Sequence, residues 1–207
     1  DGMVQSSTTF YPDANAETTS VDGHVARNVE EDWGTKIAAG TGANMNANYD
    51  TQDSAVNTQI GIYPGTTDSK WHFMMRAAIL FDTSSLNGAS VDSATFSFVP
   101  TARNNYFSDS LALVSSNPAS DTALALADFD AFGSTRFATD KTMAGLTVDS
   151  STYTDMALNA AGLAAISTSG ITKLGLRAVT DLDNSEPGWE WDKWGVVNFA
   201  SAEEELA

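Results

Sequence analysis

His72-Phe73-Met74-Met75-Arg76-Ala77-Ala78-Ile79-Leu80-Phe81 is the stretch that decides the fold. Phe73, Met75, Ala77, Ile79 and Phe81 recur at every second position, which in an extended chain puts all five on one face. Met74, Ala78 and Leu80 make the opposite face largely apolar too. A strand covered on both faces is predicted, in the interior of a sheet.

The same reading extends outward. Residues 94–99 alternate Phe96 and Phe98 against Thr95 and Ser97, and residues 59–63 form an apolar run that stops at Pro64-Gly65. Residues 109–115, 154–158, 172–179 and 195–199 read as further strands. So do Thr8-Phe10-Tyr11, before the turn signal Pro12-Asp13, and residues 33–38, before Gly40-Thr41-Gly42. Two stretches break the pattern. Residues 121–132 carry a possible helical turn at Leu124 to Ala127, and residues 159–167 read as a short helix capped by Asn159. Residues 44–58, rich in Asn and Asp, read as a surface loop. The expectation is an all-β fold: a single domain over residues 1–207, a sandwich or barrel, with one or two short crossover helices.

Charge narrows the function. The chain has 10 Lys and Arg against 27 Asp and Glu, a net charge of -17. A phosphate-tracking surface needs clustered basic residues, so nucleic acid is not an expected partner. Anionic membranes and anionic polysaccharides are disfavoured for the same reason, whereas Ca²⁺ and neutral glycans are compatible with the charge. Cysteine is absent from the sequence, which removes disulfides and thiolate chemistry. No apolar run reaches the length of a membrane span, so no membrane insertion is expected. His-Glu-x-x-His, Gly-x-Ser-x-Gly and phosphate-cradling glycine motifs are absent too.

Two constellations could carry binding. Gly188-Trp189-Glu190-Trp191-Asp192-Lys193-Trp194 concentrates three indoles. In a strand, Trp189 and Trp191 would share a face and could stack on sugar rings, with Trp194 and Glu190 completing a glycan-binding surface; the alternative is core packing. Asp181, Asp183, Asn184 and Glu186 place oxygen ligands at a spacing suited to Ca²⁺, the alternative being an Asp/Asn turn. Asp13, Asn15 and Asp22 form a weaker cation candidate. His24 and His72 are the only histidines, which makes a two-histidine metal site improbable. Asp82 is expected to cap the turn that follows it through its carboxylate.

Residues 76–98, Arg-Ala-Ala-Ile-Leu-Phe-Asp-Thr-Ser-Ser-Leu-Asn-Gly-Ala-Ser-Val-Asp-Ser-Ala-Thr-Phe-Ser-Phe, resemble the signature of the DNRLRE-type β-sandwich modules. Val21-Asp22-Gly23 and the stretch from Trp33-Gly34 to Gly40 look like that family's opening strands. Gly170-Ile171-Thr172-Lys173-Leu174-Gly175-Leu176-Arg177 looks like its late strand, and Asn198-Phe199-Ala200-Ser201-Ala202-Glu203 like its Phe-x-Ser-x-Glu segment. The family pattern continues with a closing strand, and here the sequence stops at Glu203-Glu204-Glu205-Leu206-Ala207. The expectation is that this strand is truncated, disordered or donated by a neighbour. The resemblance implies an extracellular, single jelly-roll-like antiparallel β-sandwich. Together with the missing catalytic motifs, the expectation is a non-catalytic virion-surface or cell-surface assembly subunit that contacts copies of itself or other surface proteins, or else a carbohydrate-binding module.

Overall fold

The computed structural model describes residues 6–14, 17–43 and 58–202. Its architecture is organised around β3 (Trp71–Asp82), the strand read from the central stretch. One edge of β3 pairs antiparallel with β1 (Asp22–Glu31), from Asp22 opposite Ile79 to Glu31 opposite Trp71. The other edge is shared. β2 (Thr58–Pro64) takes residues 71–75 of β3, and β9 (Ile171–Ala178) takes residues 77–82. The sheet therefore forks at β3. One arm continues from β2 to β10 (Gly195–Phe199) and β5 (Pro100–Asn105). The other continues from β9 to β6 (Ser110–Ser115) and β7 (Lys141–Thr142). A separate two-strand ladder joins β4 (Thr95–Phe98) to β8 (Thr154–Ala157). This is an all-β sandwich of antiparallel sheets, as the alternation predicted.

Both faces of β3 are buried, by different partners. Ala77 and Ile79 pack with Leu111, Leu113, Leu174, Leu176, Val197 and Phe199 of the large sheet, against Phe96, Phe98 and Met156 of the β4–β8 ladder. Met74, Ala78 and Leu80 face a second core with Val21, Val25, Trp33, Trp71, Leu124 and Phe129. Each large apolar side chain so buried contributes on the order of 2 kcal/mol. On β2, Ile60 joins the first core and Ile62 the second, although ideal pleating would put both on one face. Between them Gly61 has φ +135°, which turns the strand over, and a Cβ there would lie 2.0 Å from the Gly195 carbonyl oxygen. Only glycine satisfies both conditions.

The fork leaves polar groups to satisfy. Where β2 leaves β3, the Gln59 N–H donates to His24 Nδ1 at 3.2 Å. His24 stands opposite the small Ala77, and burial lowers its pKa to about 4, which leaves the ring neutral and able to accept. The register of β1 slips between Asn28 and Glu31. The Arg27 and Val29 carbonyls in this region accept from the fully buried Lys36 ammonium at 3.2 and 2.7 Å, together with the His72 carbonyl at 3.0 Å. Burial lowers Lys36 to about 8, with Glu31 opposing the shift, so the amine is still charged at neutral pH.

Lys36 belongs to α1 (Trp33–Ile37), where the sequence reading expected a strand over residues 33–38. The alternation there was real, but Trp33 and Ile37, four apart, also share one helical face, and both pack on the second core. Among the described residues Thr8 to Tyr11 pairs with no strand, again contrary to expectation. The helical turn expected near Leu124 is a 3₁₀ turn at Leu126–Asp130. The expected helix is α2 (Ala160–Ala164), with Asn159 Oδ1 accepting from the Ala161 and Gly162 N–H groups. Asp82 caps its turn as expected, accepting from the Ser84 N–H at 2.9 Å. β5, β7 and α3 (Val179–Leu182) were not anticipated, and of β1 only its start at Asp22-Gly23 was. Of the loop read over residues 44–58, all but Thr58 lies outside the described residues. Asn15 and residues 203–207 lie outside them as well.

Candidate glycan-contacting surface

Residues 179–194 connect β9 to β10, and so cross from one arm of the fork to the other over the second core. The glycan candidates and the four calcium candidates at residues 181–186 lie on this strap. α3 starts it, and the chain then turns at Asn184 (φ 49°) and again at Asp192 (φ 62°). Residues 189–194 form no strand, so Trp189 and Trp191 are not placed on a common face by pleating.

The first half of the strap is consumed by internal contacts. The Asp181 carboxylate accepts two hydrogen bonds from Arg76, at 2.9 and 2.7 Å, and two from Arg177, both at 2.8 Å. All three side chains are nearly inaccessible. Arg76 also donates to the Phe129 carbonyl at 2.7 Å, and its guanidinium lies 4.1 Å from the Phe129 ring centroid. Burial would raise the Asp181 carboxyl, but hydrogen bonds and charge from Arg177 and Arg76 reverse that and hold it below the ordinary aspartate value. Asp183 is held by Arg136 at 2.8 and 2.9 Å. Asn184 Oδ1 accepts from the Trp33 indole at 3.0 Å, and Glu186 Oε1 accepts from the Trp71 indole at 2.7 Å.

The residues expected to bind calcium thus have partners within the chain. The four residues meet four separate sets of donors, and a guanidinium or indole N–H group engages at least one oxygen of each. Among the described residues, no group of three or more His, Asp or Glu side chains is arranged to hold a metal ion. The weaker cation candidate fares similarly. Asp13 Oδ2 accepts from the Thr18 and Thr19 N–H groups at 2.6 and 2.9 Å, and Asp22 is buried in β1, accepting from the Ala202 N–H. His24 and His72 sit on different strands, and His72 packs edgewise against Phe73.

The second half of the strap is open. Trp189 turns inward and donates its indole N–H to the Lys70 carbonyl at 2.7 Å. Trp191, at the following turn, is 61 % exposed, and Trp194 is 39 % exposed. Trp194 leans on Tyr63, at the end of β2, with ring centroids 5.2 Å apart. Its carbonyl accepts from the Tyr106 N–H at 3.0 Å. The Tyr106 hydroxyl donates to Glu190, which raises the phenol pKa, and the Lys193 ammonium lies 4.8 Å from the Tyr106 ring centroid. The surface thus joins two exposed indoles to an exposed phenol, a carboxylate and an amine. Tyr63 and Tyr106 were not singled out from the sequence. They reach the strap because β2 and β5 flank β10, a pairing that no local pattern announces.

Neither protein-family models nor curated proteins match the sequence, and no solved structure matches the fold.

Proposed function

We propose that this chain is a non-catalytic module of a virion or cell surface, and that it contacts neutral glycans through Trp191, Trp194 and Tyr106. The observation that carries this reading is Trp191. It is a large aromatic ring left 61 % exposed on a strap that is otherwise fastened at Asp181, Asp183, Asn184, Glu186 and Trp189. A ring held out on a fixed backbone binds without first losing conformational freedom. Flat apolar faces flanked by a few polar groups suit pyranose rings, whose C–H faces stack and whose hydroxyls seek donors and acceptors. Glu190 and Lys193 stand beside the rings for that purpose. The net charge of -17 favours neutral over anionic glycans. Beside the rings, the Glu190 carboxylate accepts from the Tyr106 phenol, which suits a binding role.

The test is a glycan array with wild-type protein and Trp191→Ala. The expected result is binding to neutral oligosaccharides that weakens about tenfold or more in the variant, while the thermal midpoint holds. Equal binding by both proteins, or no binding by the wild type, would remove this reading.

A further inference from the structure

Residues 6–12, Ser-Ser-Thr-Thr-Phe-Tyr-Pro, run without a turn, a bend or a strand partner, and all but Phe10 and Pro12 are exposed. They make no hydrogen bond to any described residue, and Tyr11 is 70 % exposed. The segment is uncharged and β-prone, with Thr9 and Tyr11 on one side and Thr8 and Phe10 on the other. Seven extended residues reach about 23 Å, enough to cover a typical edge strand.

Elsewhere the fold offers an edge that fits such a segment. In the β4–β8 ladder the Leu158 N–H donates to the Ala94 carbonyl. By antiparallel alternation, the even-numbered residues of β8 bond to β4, and the backbone groups of residues 153, 155 and 157 point away from it. Just beyond, the Asn159 N–H bonds outward to the Phe137 carbonyl, and Ala138 bridges Leu158. Past that bridge no described residue pairs with this edge of β8. Between β8 and β7 lie two adjoining depressions of about 320 and 410 Å³, which share Lys141 and Asp155. Tyr153, Leu146, Met156 and Thr95 line their remaining walls.

We propose that residues 6–12 of one copy add as a strand to the outer edge of β8 in a second copy, within the seam between β7 and β8. Strand addition uses backbone bonds for affinity and alternate side chains for fit. The arm supplies two aromatic rings and a backbone with no partner among the described residues; the seam supplies edge groups equally without one, and depressions for every second side chain. The occupant is a second copy because the same chain presents both halves of the contact. Copies that each carry -17 repel one another, and the uncharged arm lets them touch at a point without like charges. The association therefore strengthens as salt screens the repulsion. The contact is independent of the glycan reading.

Cysteine is absent from the sequence, so engineered thiols report the contact directly. Tyr11→Cys protein mixed with Asp155→Cys protein should give a disulfide-linked heterodimer on mild oxidation, whereas Tyr11→Cys mixed with Asp68→Cys should not. In sedimentation, wild-type protein should self-associate more strongly as salt rises. Ala157→Pro, which removes only an outward-facing N–H, should weaken association about tenfold or more while the circular dichroism of the monomer is preserved. The idea is overturned by wild-type protein that stays monomeric at high salt, by equal cross-linking to Asp68→Cys, or by a Tyr11→Cys/Asp155→Cys double variant that closes only within one chain.

Discussion

The two halves of the strap between β9 and β10 are both rich in acids, only the second carries tryptophan, and they behave as opposites. In the first half Asp181, Asp183, Asn184 and Glu186 accept from Arg76, Arg177, Arg136, Trp33 and Trp71. From Glu190 to Trp194 the rings face water. The chemistry of a loop residue does not decide whether it is available; the donors that the rest of the fold brings to it do. The arginines and indoles come from β3, β9, α1 and the segment before β7, and once they are in place the first half becomes a fastening and the second half a surface.

The contrast can be broken from its strongest point. Asp181→Ala leaves Arg76 and Arg177 buried without their shared counter-charge and should cost about 3–5 kcal/mol in urea unfolding. The same carboxylate sets an acid limit. Its folded pKa is depressed, so its contribution is full above the ordinary aspartate value and is lost as pH falls through the lowered one. Wild-type stability should drop steeply over that acid range, and Asp181→Asn should flatten the slope. Trp71→Phe removes the indole N–H from Glu186 and should cost about 1–2 kcal/mol, part of it from the smaller ring in the core. Trp191→Ala should change stability by no more than about 0.5 kcal/mol, since the ring packs on little. Smallest of all, millimolar Ca²⁺ should move the thermal midpoint by less than about 1 °C, because the oxygens of the first half already have partners. A larger shift would show that a cation displaces an arginine, and the contrast between the halves would fail.

Much of the fold was legible because β3 states both of its faces in ten residues: Ala77 and Ile79 reach one core, Met74, Ala78 and Leu80 the other. Asn159 announced α2 by capping chemistry alone. What stayed hidden was set at long range. β5, Pro-Thr-Ala-Arg-Asn-Asn, has no apolar period, because it is an edge strand held by β10 on one side. α1 was hidden because a single turn satisfies a helical and an alternating pattern equally well. At the candidate site, the three indoles were visible, but their directions were not. Trp189 goes inward because the Lys70 carbonyl awaits its N–H, and Lys70 is more than a hundred residues away.

The fork at β3 also imposes an order on synthesis. β1 and β2 leave the ribosome before β3 or just ahead of it, so one edge of β3 and the first half of the other can close early. The remaining edge, beside Ala77, Ile79 and Phe81, waits for β9, which begins only at Ile171. Throughout that interval the nascent chain carries an apolar strand edge with nothing to pair it. Such an edge folds slowly and recruits neighbouring chains readily. The central strand of the sandwich is thus one whose completion waits until β4 to β8 have all been made.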